Sequence, residues 1–262
     1  MRLNDEAGSD GLPEAHRAIS SRLVQARAEG SALDGPPPGM PETLTDAYRL
    51  QSHSIAAWGD SVVGWKVGGV PAAYLDRFDE RFLAGPIFAN SVRAAEGIGP
   101  VAMEVFDGGF AAIEPEFVLR LGGEGENDRM FIGAEIASSP IPAINDHGPM
   151  AVISDFGNNN GLLIGPEIAG WRERAQAVEV VATIDGNRVG EKLVSDFPHA
   201  ALEALAFLRR LADERGFALP PGTYVSTGAI TGVHEAAPGA EAHVDFGDLG
   251  RLHLTLVGAL VS

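Results

Sequence analysis

With 262 residues, 45% hydrophobic and 21% charged, the chain can enclose a sizeable core as one large domain or two small ones. A formal charge of −17 and a pI near 4.7 argue against nucleic acid and anionic membrane surfaces as partners. Cysteine is absent, which excludes a disulfide scaffold, a thiolate nucleophile and cysteine-ligated zinc. A small anionic substrate stays open, because a bound metal reverses the local field. No apolar run reaches the length of a membrane span, and the first residues, M-R-L-N-D-E-A-G-S-D-G, lack the apolar core of a secretory signal. The expected location is the cytoplasm.

In chain order, residues 1–12 read as a loose polar tail. Pro13 to Gly30 carries Ala15, Ile19, Leu23 and Ala26 about four apart and is expected to be a helix, broken by G-P-P-P-G at 35–39. A second helix is expected from Pro41 to Trp58, with Thr43 and Asp46 at its start as a capping pair. Residues 1–60 thus form a helical N-terminal portion, either a subdomain or an arm packed on the rest of the chain. From Val62 the chain turns to short strands with Gly and Pro punctuation, a β-rich body over 61–262. The run 62–70 holds Lys66 among apolar residues and glycines. Such a lysine is costly to bury without an anion, the alternative being a surface lysine on a half-exposed strand. Residues 81–90 are expected to end a helical or looped piece, with Gly85-Pro86 as a turn.

The stretch A-I-E-P-E-F-V-L-R-L, 112–121, alternates as a strand and puts Glu114 and Glu116 on one face. Two carboxylates that close repel unless a cation or proton lies between them; the alternative is a solvated acidic face. After a polar loop at 122–128, the strand-like run 130–137 puts Glu135 among apolar neighbours, where it needs a partner. The Asn, Asp, His and Gly of 141–150 and 155–161 suit turns, and equally a loop lining a site. Val178 to Ile184 reads as a strand, with Asp185-Gly186-Asn187 as a hairpin turn. A long helix begins at Ser195 or Asp196 and stops at Gly216. Residues 224–233 are rich in small and hydroxyl side chains, and a closing hairpin spans 242–246 and 251–257.

Glu114, Glu116 and Glu135 form an all-oxygen donor set, which selects a hard cation, Mg²⁺ or Mn²⁺. Three protein ligands leave about three octahedral positions open, enough for a chelating 2-oxo acid and a water. Lys66 would hold the substrate carboxylate or carry a proton.

Five segments, G-W-K-V-G (64–68), I-E-P-E-F (113–117), A-E-I-A-S-S-P (134–140), N-N-G-L-L-I-G (159–165) and V-S-T-G-A-I-T-G (225–232), stand in the order seen in the 2-keto-4-pentenoate hydratase family. That family belongs to the fumarylacetoacetate hydrolase superfamily, and the resemblance covers roughly residues 40 to 260. It implies an α+β fold, a mixed β-rich rolled sheet with a helical N-terminal portion. It also implies Mg²⁺ or Mn²⁺ on Glu114, Glu116 and Glu135, with Lys66 and Glu114 catalytic and Lys66, Ser226, Thr227 and Asn159 at the substrate. The implied reaction is ketonisation of a 2-hydroxy-2,4-dienoate from aromatic-ring breakdown, then water addition to give a 4-hydroxy-2-oxo acid. Related enzymes decarboxylate 2-oxo-3-enedioates, and more distant ones hydrolyse acylpyruvates with a histidine that neither His16 nor His53 matches convincingly. A non-catalytic partner subunit is the non-enzyme alternative, and self-association is implied as well. The chain departs from the family pattern at Ser138 and Pro140, where those enzymes carry Asp and Arg.

Overall fold

The computed structural model describes residues 11–97, 99–124 and 127–259. Of the expected N-terminal tail, residues 1–10 lie outside the described residues, and Leu12 is buried in the core rather than loose. Helix α1, Glu14–Ala28, turns Ile19, Leu23 and Ala26 inward. Helix α2, Leu44–Ala57, starts where the Thr43 hydroxyl accepts a hydrogen bond from the Asp46 backbone N–H at 3.1 Å. Both helices contribute to the same hydrophobic core as the sheets, Leu23 and Leu50 sharing it with Ile113 and Val244. Residues 14–57 thus pack on the strands through a shared core.

Among the described residues the strands make two sheets, of eight and five strands. The larger runs β2-β1-β10-β5-β6-β7-β3, with β11 alongside β5. These strands are β1 (Val62–Gly69), β2 (Phe82–Phe88), β3 (Val92–Ala94), β5 (Phe110–Arg120), β6 (Arg129–Ser139), β7 (Asn159–Glu167), β10 (Tyr224–Ser226) and β11 (His234–Glu235). The smaller sheet runs β4-β13-β12-β8-β9, from β4 (Val101–Val105), β8 (Val178–Ile184), β9 (Asn187–Val194), β12 (Glu241–Asp245) and β13 (Arg251–Gly258). Strands are parallel in β1–β10, β3–β7 and β4–β13 and otherwise antiparallel, so the architecture is α+β with mixed sheets. Helices α3 (Pro149–Ser154) and α4 (His199–Arg215) complete it, α4 ending at Gly216 in the left-handed region at φ 71°. No described helix is long and apolar enough to cross a membrane.

Three expectations need correction. Residues 82–88 are a strand rather than a loop, and Gly85-Pro86 lies inside it. Proline is tolerated there because β2 is a sheet edge, and a Cβ on Gly85 would stand 2.1 Å from the Phe156 carbonyl oxygen. Residues 149–154 are a helix and 159–167 a strand, so the polar cluster of 141–161 is only partly turn. Helix α4 starts at His199, a few residues after the expected Ser195 or Asp196. The face carrying Glu114 and Glu116, for which a solvated acidic face was the alternative, is buried, because β5 has packed side chains on both sides. The hairpin turn agrees, Asp185 and Gly186 having φ 51° and 77°, the pair of positive values a type I′ turn requires.

Candidate metal centre

Strand β5 sits centrally, and its pairing with β6 sets Glu114 directly opposite Glu135 and Glu116 opposite Gly133. Pro115 fits in this central strand because its missing N–H faces the gap between β10 and β11, where the 227–230 loop crosses. There its carbonyl accepts from the Ile230 N–H at 2.8 Å. On the other side of β10, Lys66 of β1 lies beside Ser226, which places the lysine on the same face as the carboxylates.

Glu114, Glu116, Glu135 and Lys66 are 5%, 0%, 0% and 4% exposed. The solvated-face and surface-lysine alternatives therefore both fall. Lys66 Nζ stands 3.4 Å from Glu135 Oε1 and donates to Asn158 Oδ1 at 3.3 Å. Asn158 in turn donates to Asn145 Oδ1 at 3.1 Å. Asn159 donates its Nδ2 to Glu135 Oε1 at 3.0 Å. Glu116 Oε2 accepts from the Ser226 hydroxyl and from the Gly228 N–H at 2.9 Å.

One cation thus faces three carboxylates, and the electrostatics follow from that imbalance. Burial pushes Glu114 up to about 7, with Glu135 adding to the rise and Lys66 opposing it. Burial, then the charges of Glu135 and Glu114, push Glu116 well above the carboxylate range against the hydrogen bonds from Ser226 and Gly228. For Lys66 burial works downward, but the charges of Glu135, Glu114 and Glu116 outweigh it and the ammonium holds its proton more tightly than usual. Glu116 Oε1 and Glu135 Oε2 are buried without any hydrogen-bond donor, and oxygens of the three carboxylates lie within 4.8 Å of one another. Buried acceptors are rarely left without a partner. These residues fit a divalent cation with oxygen ligands.

Behind the cluster lies a second buried charge assembly. Arg27 of α1 holds Asp155 through two parallel bonds, Nε to Oδ1 at 2.6 Å and Nη2 to Oδ2 at 2.7 Å. Its remaining N–H groups reach the carbonyls of Asn159 at 3.0 Å and Ser138 at 3.2 Å. The guanidinium also lies 5.1 Å from the Phe156 ring centroid. The next three residues, Phe156, Gly157 and Asn158, have φ of 55°, 66° and 55°, a left-handed run that costs about 1–2 kcal/mol for each non-glycine. Gly157 is needed for space as well, since a Cβ there would stand 2.8 Å from the Gly85 backbone. This strained turn delivers Asn158 to Lys66 and Asn159 to Glu135, and Arg27 with Asp155 holds it.

The structure brings together Lys66, Glu114, Glu116, Glu135, Ser226 and Asn159. Ser226 and Asn159 contact the carboxylates, while the Thr227 hydroxyl donates to the Phe117 carbonyl at 2.8 Å on the strand backbone. Ser138, at the departure from the family pattern, is buried and bonds the Phe106 N–H and Phe110 carbonyl. Sequence reasoning placed Asn145, Asp155 and Asn158 in segments that could line a site but gave them no role, and it missed Arg27. The Asn158–Asn160 run was a visible signal for Asn158, whereas Arg27 reads as an ordinary basic residue of an amphipathic helix.

No protein-family model and no curated protein sequence matches this chain. Among solved structures it is similar to 4-oxalocrotonate decarboxylase from Pseudomonas putida G7, complexed with calcium and acetate or with magnesium and adipate. That match has a TM-score of 0.74 at 21% identity and covers 93% of this chain and 98% of the other. Fumarylpyruvate hydrolase from Pseudomonas aeruginosa, in complex with Mn²⁺ and pyruvate, matches with a TM-score of 0.53 at 19% identity over 74% of this chain and 89% of that one. The 2-hydroxyhepta-2,4-diene-1,7-dioate isomerase from Mycobacterium marinum matches with a TM-score of 0.52 at 14% identity, over 76% of each chain. These neighbours are members of the fumarylacetoacetate hydrolase superfamily, and the fold of this chain is of that type.

Proposed function

We propose that this chain is a divalent-metal-dependent lyase acting on short 2-oxo or 2-hydroxydienoic acids, with Glu114, Glu116 and Glu135 as ligands to Mg²⁺ or Mn²⁺. The observation that carries the reading is the buried three-to-one cluster, with two carboxylate oxygens left without donors. The bound cation supplies Lewis-acid polarisation of the substrate's 2-oxo group.

The residues supply the rest. Glu116, pinned by Ser226 and Gly228, and Glu135, pinned by Asn159, are held in fixed rotamers and orient the site. Lys66, cationic and buried, anchors the substrate carboxylate and donates a hydrogen bond where negative charge develops on oxygen. Glu114 stands on the same face, placed to exchange a proton with the substrate.

Two reactions draw on these groups. In hydration, the substrate loses its 2-hydroxyl proton and gains one at the terminal carbon. Water oxygen then adds to carbon 4 while a proton arrives at carbon 3. The family resemblance of the five motifs supports this reading. In decarboxylation of a 2-oxo-3-enedioate, the distal C–C bond breaks and its electron pair moves toward the 2-oxo oxygen, which Lys66 stabilises while CO₂ leaves. The match to a decarboxylase across nearly the whole of both chains supports this second reading equally.

The test is ultraviolet-monitored turnover of 2-hydroxypenta-2,4-dienoate and 2-oxo-3-hexenedioate with Mg²⁺, Mn²⁺ or EDTA, alongside a CO₂ assay. Metal-dependent loss of the dienoate without CO₂ establishes the hydratase, and CO₂ from the diacid establishes the decarboxylase. Metal affinity unchanged in Glu116→Gln by calorimetry would overturn the ligand assignment.

A further inference from the structure

The smaller sheet carries a second set of metal-ligating side chains, on its solvent face and away from the carboxylate cluster. In the β12–β13 pair His243 lies directly opposite His253, and Glu241 precedes His243 by two residues on the same strand. Period-two alternation therefore puts all three on one face. Their alternates, Ala242, Val244, Leu252 and Leu254, are all buried, at most 1% exposed, so the core locks the register that holds the three together.

The side chains converge. The two imidazoles stack with centroids 4.1 Å apart and planes 20° from parallel. Both Nε2 atoms point at the same carboxylate oxygen: His253 Nε2 is 2.6 Å from Glu241 Oε1, and His243 Nε2 is 3.5 Å from it. One ligand atom from each residue lies within 4.8 Å of the others. An ordinary surface histidine–carboxylate pair accounts for one imidazole on the oxygen but not for a second one converging on it.

From this geometry we infer that Glu241, His243 and His253 form a surface site for a borderline divalent cation, Zn²⁺ or its analogues Co²⁺ and Ni²⁺. Two imidazole nitrogens and one carboxylate oxygen are the donors such ions take, with an exposed fourth position left for water. The all-oxygen cluster on the larger sheet has the opposite preference, for Mg²⁺ or Mn²⁺. The chain thus sorts two classes of metal onto two sheets, and an ion on the surface site clips β12 to β13. The inference is independent of the reading given to the carboxylate cluster.

The experiment is calorimetric titration of untagged, EDTA-stripped full-length protein with Zn²⁺ while Mg²⁺ is held at saturating concentration. One Zn²⁺ per chain at micromolar affinity is expected, weakened by about tenfold or more in His243→Ala and His253→Ala. Glu116→Gln is expected to leave that Zn²⁺ affinity unchanged. Zn²⁺ is also expected to raise the melting temperature of wild type but not of His253→Gln, a conservative variant at a half-exposed position that is expected to fold. Equal melting temperatures of wild type and variants in EDTA confirm that folding is intact. Equal Zn²⁺ affinity in the His243→Ala/His253→Ala double variant overturns the site, as does Zn²⁺ binding that is lost in Glu116→Gln instead. Zn²⁺ bound only in the millimolar range overturns it too.

Discussion

Two buried charge assemblies stand back to back across the 155–159 turn, and they obey opposite rules. Arg27 and Asp155 are one cation and one anion, bidentate, with the guanidinium's other donors placed on backbone carbonyls. Lys66 faces three carboxylates, two of them with an oxygen that nothing satisfies. A satisfied pair holds geometry, because breaking it leaves a buried charge alone. An unsatisfied excess of buried carboxylates costs stability unless something arrives to complete it, and on the proposed reading that something is the cation. Burial alone does not separate the two, since both are almost fully enclosed. Charge balance does.

The comparison is sharpest at the two cations. Lys66→Ala is expected to lower turnover by about 10²–10⁴-fold while metal binding persists, because it removes the proton-holding group and no ligand. Single-turnover kinetics with calorimetry on the same preparation check this, and full activity would return Lys66 to a structural role. Arg27→Met is expected to destabilise the fold by about 3–5 kcal/mol, since Asp155 then stays buried and unpaired. Denaturant unfolding measures it. A loss below about 1 kcal/mol, the range of exposed pairs, would mean that Asp155 finds water or another donor.

Asn159→Ala joins the two assemblies, because it removes the hydrogen bond that orients Glu135 and leaves the Arg27 contact to the residue 159 carbonyl in place. Metal affinity is expected to fall about 10–100-fold with little change in stability. A Tm shift without an affinity change would reverse that assignment.

The smallest effect is in pH. In metal-free protein Glu114 titrates at about 7 when folded, above its usual 4.5, so the folded state binds the extra proton in that window. Its contribution to stability is therefore complete below about 4.5 and is lost as pH rises to about 7. With EDTA the melting temperature is expected to decline over that range, and saturating Mg²⁺ is expected to remove the decline by holding the carboxylate ionised. A metal-free melting temperature that rises across the same interval would refute the raised Glu114.

Much of this was legible from residues alone wherever the determining interaction is local. Alternation along 112–121 put Glu114 and Glu116 on one face, Asp185-Gly186 marked a hairpin whose positive φ values were observed, and Gly216 stopped the long helix. The donor type behind the proposed metal needs no structure either, as three carboxylates without Cys or His select a hard cation. What stayed hidden depends on contacts between distant parts of the chain. Alternation shows which residues share a face but not whether that face meets solvent, and in β5 both faces are buried. Residues 82–88 read as a turn because Gly and Pro act locally as breakers, and only the edge position and the close approach of Phe156 make them a strand. Glu135 becomes the direct partner of Glu114 through strand register, and Arg27 meets Asp155 across 128 residues of sequence. Periodicity and turn chemistry are encoded within a few residues. Burial, register and charge balance are sums over the whole packed chain, and only the tertiary structure decided them.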